Sequence, residues 1–419
     1  MNEHENKGLS RRDFTRIGAA AAVASTFGIL HAPKAKANAE TLKVGLIGCG
    51  GRGSGAALQI LQGNENVHLV GLADAFEHRM VECRDRFLTH QDPRIQEKAP
   101  IEEDRCFVGL DAYQKLIDTD IDIVIEATPP YARPLHLEAA VNAGKHIFAE
   151  KPMAVDPAGV RQVIAAAERH KAAGLSWVAG TQRRHSFNYQ QTIEKIQNGE
   201  LGDVIAMRAY WCGGLPFAHD RNEGEGDLAY RLRNWYNQIW TCGDNIVEQH
   251  MHNIDVCNWV MGGPPQSVFA SGGRAWKPEI EKYGDIWDHF SADFEYDNGV
   301  RMFSMSRHWD GRDGGVFEEI LCANGRSNAH DMGEGREPNH YVQELVHLVE
   351  SIRGEGKYWH EGQQVCESTM TTIMARMSAY TGRRLTYEEA LNADLDIVPK
   401  DLDWDKEYPL GPIPSPMDA

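Results

Sequence analysis

The apolar run Leu42 to Ile47 leads directly into Gly48-Cys49-Gly50-Gly51-Arg52-Gly53, and a second apolar run, Val67 to Ala73, ends on the acid Asp74. Few sequence features constrain a fold more. A strand that breaks on glycines and continues as a helix needs a tight turn at Gly48, an unobstructed backbone at Gly50 and a close helix–strand approach at Gly53. The amino terminus of that helix, with its unpaired N–H groups and positive dipole end, then suits phosphate oxygens. A carboxylate closing the second strand can accept from both hydroxyls of a ribose and repels a 2′-phosphate. The order strand, turn, helix, strand, acid therefore implies a dinucleotide site of the NAD type, held by Gly48, Gly50, Gly51, Arg52, Gly53 and Asp74.

The pattern around this site sets the fold class. From Glu40 to about Gly180 short strands alternate with helices: Ile121 to Ala127 reads as a buried strand, Leu135 to Ala143 as a helix stopped by Gly144, and His146 to Ala149 as a strand. Asp156-Pro157 supplies a cap and a first-turn proline for a helix to Ala172. This predicts a doubly wound parallel sheet in an α/β fold. Beyond it come a helix over Phe187 to Gln197 and strands over Val204 to Cys212, Pro265 to Ala270, His289 to Tyr296, Met302 to Arg307 and Glu318 to Ala323. These predict an open, mostly antiparallel sheet with helices on a single face. Late helices over His340 to Arg353 and Gln363 to Tyr380 follow, the second capped by Gly382. The expected division is residues 1–39 as an export segment, 40–180 as the dinucleotide-binding domain, and 181–419 as a substrate-binding and oligomerisation domain with a carboxyl-terminal tail.

The segment from Met1 to Ala39 carries Ser10-Arg11-Arg12-Asp13-Phe14, then an apolar stretch from Ile17 to Leu30 and small-residue sites at Ala35-Lys36-Ala37 and Ala37-Asn38-Ala39. This reads as a twin-arginine export signal, cleaved between Ala37 and Ala39 or just after; the apolar stretch is too short to span a bilayer. The twin-arginine translocase carries folded proteins, which suits a chain loaded with its nucleotide before export, and the expected location is the periplasm. The whole chain has a formal charge of −18, and the segment removed holds more Lys and Arg than Asp and Glu, so the cleaved protein is more acidic still. So acidic a surface excludes nucleic acid and anionic membranes as partners. The eight cysteines have no paired spacing and read as buried thiols, without a disulfide framework.

Oxidising a carbinol needs a group to take the hydroxyl proton and a donor or cation to stabilise the developing alkoxide. Lys151 follows the strand His146 to Ala149, at the end where ligands of doubly wound sheets bind, and Pro152 restricts its backbone, a cis bond there serving to aim the side chain. Glu150 either contacts a cofactor ribose or orients Lys151. On a helix predicted over Asp244 to Met261, Glu248, His252 and Asp255 fall at i, i+4 and i+7 on one face, beside an apolar stripe of Val247, Met251 and Ile254. His252 is the candidate acid/base and Glu248 its positioning partner or a hold on substrate hydroxyls. His250 stands two residues from both and points elsewhere on a helix, so no metal site is expected. Gln182-Arg183-Arg184-His185 faces either the ligand or an interdomain salt-bridge cluster. Trp211, Trp235, Tyr236, Trp240 and Trp309 offer sugar-stacking faces or core.

Glu150-Lys151-Pro152 and His252-Asn253-Ile254-Asp255 with Trp259 and Gly262, together with Tyr380-Thr381-Gly382-Arg383-Arg384-Leu385-Thr386, resemble the signatures of the glucose-fructose oxidoreductase and inositol dehydrogenase (Gfo/Idh/MocA) family. The resemblance spans nearly all of the chain after the signal. It implies a nicotinamide-dependent oxidoreductase of sugars or polyols, Lys151 catalytic beside the nicotinamide, and an open sheet that forms a homo-oligomer interface. The family pattern has Asp where this chain has Glu248, which bears on substrate geometry. Two other readings stand beside an NAD-dependent sugar or glycoside oxidoreductase: an NAD-dependent glycosidase working by transient oxidation, elimination and re-reduction, and a non-catalytic binding protein on a Rossmann fold.

Overall fold

A computed structural model describes residues 40–417; the export-signal reading falls on residues 1–39, outside the described residues. Six strands form a parallel sheet: β1 Leu42–Ile47, β2 Val67–Asp74, β3 Cys106–Val108, β4 Ile123–Glu126, β5 His146–Ala149 and β6 Trp177–Ala179, in the order β3-β2-β1-β4-β5-β6. Successive side chains enter opposite layers. Leu46, Ile125 and Phe148 join the apolar layer on one face, while Ile47, Val124 and Ile147 join the layer on the other. Burial on both faces is why these strands read as unbroken apolar runs. The late helix His340–Arg353 returns to this sheet and packs on helix Gly51–Gly63, so closely that a Cβ on Gly63 would sit 2.8 Å from Val342 and Val346.

The strand order reverses between β1 and β4, which opens a crevice at their carboxyl ends where the glycine turn stands. Gly48 adopts φ +93°, a left-handed conformation that disfavours any side chain. A Cβ on Gly53 would lie 1.8 Å from the Gly48 carbonyl oxygen, so the helix can begin there only with glycine.

The second sheet has seven strands: β7 Val204–Gly213, β8 Ser267–Gly273, β9 His289–Glu295, β10 Arg301–His308, β11 Gly315–Cys322, β12 Gly325–Ser327 and β13 Leu385–Thr386, ordered β12-β11-β7-β10-β9-β8-β13. All neighbours are antiparallel except β7 and β10, which run parallel. Helices Met251–Met261 and Gly362–Thr381 cover one face. The other leaves Phe269, Phe303, Met305 and Phe317 exposed. All eight cysteines are free thiols; Cys106 and Cys212 are only half-buried, which corrects the expectation that all are buried.

One expected element is broken. In place of a single helix over Asp244 to Met261, the chain forms Asn245–Glu248, bends at Gln249 and His250, and resumes as Met251–Met261. A continuous helix would direct the His252 N–H to the Glu248 carbonyl. Here it donates to the Gln249 carbonyl at 3.4 Å. The second sheet pins the bend: His250 Nε2 shares a hydrogen bond with Ser304 Oγ at 2.7 Å, and Gln249 Oε1 lies 3.1 Å from His308 Nε2. Val247, Met251 and Ile254 are nevertheless all fully buried, so the apolar periodicity survives the break.

The glycine turn and the bend each give a stability prediction. Gly53→Ala forces the helix away from the turn and should cost about 1–3 kcal/mol, the range for overpacking a fitted contact; an unchanged urea midpoint would show that the turn yields freely. Burial lowers the His250 pKa to about 3. Between pH 6.5, near the unfolded value, and pH 3 the unfolded chain binds a proton that the folded chain refuses, so stability falls as pH falls, by about 1.4 kcal/mol per pH unit. His250→Asn should flatten the unfolding free energy against pH by about that slope between pH 6 and 4; parallel slopes for the two proteins would contradict it.

Candidate active site

The glycine turn, Asp74, Lys151, Glu248 and His252 line one cavity of about 670 Å³. At its dinucleotide end the space beside Gly51 is open, and the nearest group to a Cβ on Gly50 would be Arg79 Nη1 at 3.6 Å. The Arg79 guanidinium has no hydrogen bond or ion pair among the described residues. Asp74 accepts from the Cys49 N–H at 2.7 Å and the Phe76 N–H at 2.8 Å, one on each carboxylate oxygen. Burial pushes its carboxyl pKa up, and these two donors oppose the rise. A glycine cradle without obstruction, an unpaired guanidinium beside it and an acid at the end of β2 fit a dinucleotide.

Arg52 and Glu150, expected at the cofactor, line this cavity but are bound mainly to each other. Arg52 Nε pairs with Glu150, its Nη2 with Glu344 at 2.8 Å, and its guanidinium lies over the Tyr341 ring at 5.1 Å. The knot ties the glycine turn to helix His340–Arg353. Glu150 is thus turned to Arg52 and makes no hydrogen bond to Lys151 among the described residues. Sequence spacing could not place Glu344 against the turn from so far along the chain.

At the other end Lys151 follows β5, and its peptide bond to Pro152 is cis. Arg133 holds the surrounding loop, donating to the Pro152 carbonyl at 2.5 Å and the Thr128 carbonyl at 2.6 Å. Lys151 Nζ donates to the Glu248 carbonyl at 2.6 Å and to Glu248 Oε1 at 2.9 Å. That carbonyl is the one released by the helix break. His252, in the first turn after the break, lines the cavity with its ring nearly parallel to Trp211 at 5.9 Å. Burial, then the cations of Lys151, Arg183 and Arg52, hold its pKa well below the usual imidazole range. The imidazole is therefore neutral, the form that accepts a proton.

Asp255 does not join them. One turn beyond His252 on the same helical piece, it accepts from Arg184 Nε at 2.8 Å and, on helix Gly362–Thr381, from Gln364 at 2.6 Å and Ser368 at 2.7 Å. The expected single stripe of Glu248, His252 and Asp255 is corrected to a pair. Of the segment 182–185, only Gln182 reaches the cavity; Arg183 pairs with Glu318, Arg184 with Asp255 and His185 with Glu361, the salt-bridge alternative. Trp235 lines the cavity and Trp211 stacks on His252 at its edge, whereas Tyr236 and Trp240 are core. Reasoning from sequence missed Arg79, Tyr131, Phe217, His219 and Arg233, all of which line the cavity. The only available signal for the last three was the length and aromatic-and-charge content of the stretch after β7.

Residues 42–176 match the family described as "Oxidoreductase family, NAD-binding Rossmann fold" (GFO_IDH_MocA), and residues 189–326 match the "GFO/IDH/MocA C-terminal domain". The chain is 24% identical over 245 residues to myo-inositol 2-dehydrogenase of Thermotoga maritima, covering 58% of this chain and 62% of that protein. It is 24% identical over 214 residues to 2,7-anhydro-N-acetylneuraminate hydratase of Mediterraneibacter gnavus, covering 50% of this chain and 52% of that one. The chain thus spans between half and two thirds of the length of these curated relatives. The structure of scyllo-inositol dehydrogenase from Lactobacillus casei with bound NAD(H) and scyllo-inositol has the same fold, with a TM-score of 0.63 at 17% identity over 83% of this chain and 100% of that one. With both halves matched and the glycine cradle in place, the chain belongs to the Gfo/Idh/MocA oxidoreductase family and carries its NAD-binding Rossmann fold.

Proposed function

We propose that this protein is an exported oxidoreductase that acts on a hydroxyl of a sugar, polyol or glycoside and holds its NAD tightly through turnover. The observation that carries the reading is the Lys151 ammonium on Glu248 Oε1 at 2.9 Å, beside a neutral His252, in the cavity that also holds the glycine turn. NAD, when bound, supplies the acceptor for the hydride. His252 takes the hydroxyl proton, Lys151 stabilises the oxygen as negative charge develops on it, and Glu248 holds Lys151 in place and keeps a carboxylate available to a neighbouring hydroxyl. Trp211 and Trp235 offer faces for the apolar side of a sugar ring.

A second reading is supported by the likeness to an anhydro-sugar hydratase: a glycosidase that oxidises the sugar transiently, eliminates the substituent and returns the hydride. The twin-arginine segment favours the periplasm, where free NAD is scarce, and so favours a closed cycle in either reading. The exposed apolar residues of the second sheet favour a homo-oligomer through that face.

The test is to dialyse the purified protein extensively and assay a panel of sugars and glycosides without added nucleotide. Turnover is expected from the dialysed protein, and Lys151→Met should retain bound NAD while losing about two to four orders of magnitude in rate. Cleavage of a glycoside with no net NADH would select the glycosidase. Empty dialysed protein that turns over only with added NAD, releasing free NADH in step with product, would defeat tight retention. Near-parental turnover of the Lys151 variant would remove that residue from the chemistry.

A further inference from the structure

Part of the cavity wall packs against a late segment of the chain. Phe76, Leu110, Tyr131 and Leu232 line the cavity. The same four side chains belong to a separate apolar cluster that also holds Val398, Leu402, Trp404 and Tyr408. Trp404 meets the Phe76 ring edge-on at 5.7 Å, and Phe76 is two residues beyond Asp74. Leu402 and Trp404 are half-buried against this cluster while Asp401, Asp403 and Asp405 are exposed, and a turn closed by the Lys406 N–H on the Asp403 carbonyl at 3.2 Å holds Trp404 in place.

This segment is tied down at both ends. On the side of the parallel sheet, Arg161 Nη1 donates to the Ala393 carbonyl at 3.0 Å, and the Ile397 N–H donates to Asp156 Oδ2 at 2.8 Å. On the other side, Arg231 Nε donates to the Tyr408 carbonyl at 3.1 Å, the Tyr408 N–H donates to Asp227, and Trp287 Nε1 donates to the Pro414 carbonyl at 3.0 Å. Asp227 and Arg231 belong to helix Asp227–Arg233. That helix, with the irregular stretch before it, carries Phe217, His219, Leu232 and Arg233 to the cavity. His219 lies close enough to Arg233 and Arg79 that both guanidinium groups, after burial, lower its pKa. The stretch from 214 to 238 therefore walls the cavity that also holds the second glycine and Arg79, a cationic lining suited to a pyrophosphate.

We infer that residues 392–416 form a strap that fastens this wall across the dinucleotide crevice, so that release of bound NAD requires the strap, and above all Trp404 on Phe76, to detach. The inference rests on the tight-retention reading, and its physical content is a slow dissociation rate. A ligand enclosed by a wall leaves only when the wall opens, and the opening free energy includes every apolar and hydrogen-bonded contact the strap makes.

The test uses the full chain loaded with radiolabelled NAD and diluted into excess unlabelled NAD, with retained label counted over time. Trp404→Ala should speed label loss about tenfold or more, Trp404→Phe should restore most of the retention, and a chain ending at Asn392 should lose label faster still. Phe294→Ala, buried in the second sheet away from the strap, serves as a control that lowers the melting temperature and leaves label loss at the parental rate. Parental label loss by a folded Trp404→Ala variant would overturn the strap, as would equal acceleration by Phe294→Ala. If the parent itself loses label within the mixing time, tight retention fails; the strap is then judged by the ratio of NAD dissociation constants between parent and Trp404→Ala, a ratio of one overturning it. Should the truncated chain not fold, the point variants decide the matter.

Discussion

The backbone carbonyl of Glu248, left without its helical partner by the bend at Gln249 and His250, accepts the Lys151 ammonium at 2.6 Å, and this contact joins the carboxyl end of the parallel sheet to the second half of the chain. Each group needs the other. A carbonyl with no donor and an ammonium held among buried side chains are each costly, and each satisfies the other here. The arrangement also places the Glu248 carboxylate on the same ammonium, so a single residue supplies both a neutral and a charged acceptor. The bend in turn depends on β10, through Ser304 and His308. The second sheet thus does more than present a face to solvent: it holds the geometry on which the cavity depends.

Charge inside the cavity is apportioned rather than uniform. Arg52 is bonded to Glu150 and Glu344, and Lys151 to Glu248, while the Arg79 guanidinium has no hydrogen bond or ion pair among the described residues. The chain as a whole is acidic, at −18. At physiological salt that distant charge is screened over about 8 Å, so a local guanidinium and a helix amino terminus decide what the crevice attracts. The same local logic keeps His252 neutral: low solvation and nearby cations both oppose its protonation. An imidazole in that state keeps a ring nitrogen lone pair free to accept a hydrogen bond.

Much of the architecture was legible in the residues because local signals and tertiary packing agree there. Helices Pro157–Ala172, Phe187–Gln197 and His340–Arg353 have the bounds their caps imply; Asp156 accepts from the Gly159 N–H, as a capping acid before Pro157 should. β1 and β5 end where the apolar runs end, since a strand buried on both faces has little choice of residue. The helix break was not legible, because Val247, Met251 and Ile254 keep helical spacing on either side of it and side-chain bonds from a distant strand cause it. The fate of Asp255 was illegible as well, because its partners Arg184, Gln364 and Ser368 come from distant parts of the chain.

The order of strand, glycine turn, helix and acid determined by itself that this chain builds a dinucleotide crevice, since steric demands at Gly48 and Gly53 and the exposed N–H groups beyond them are properties of neighbouring residues. Separate local signals placed Lys151 at a strand end and Glu248 and His252 near one another, and the fold brings all three into one cavity with the turn. Tertiary structure alone decided which groups each of them meets. Glu344 reaches Arg52, β10 bends the helix under Glu248, and Trp404 arrives behind Phe76 from near the other end of the chain. Such contacts carry no periodicity and no local spacing, because they are selected by how whole elements stack, and only the folded chain brings them together.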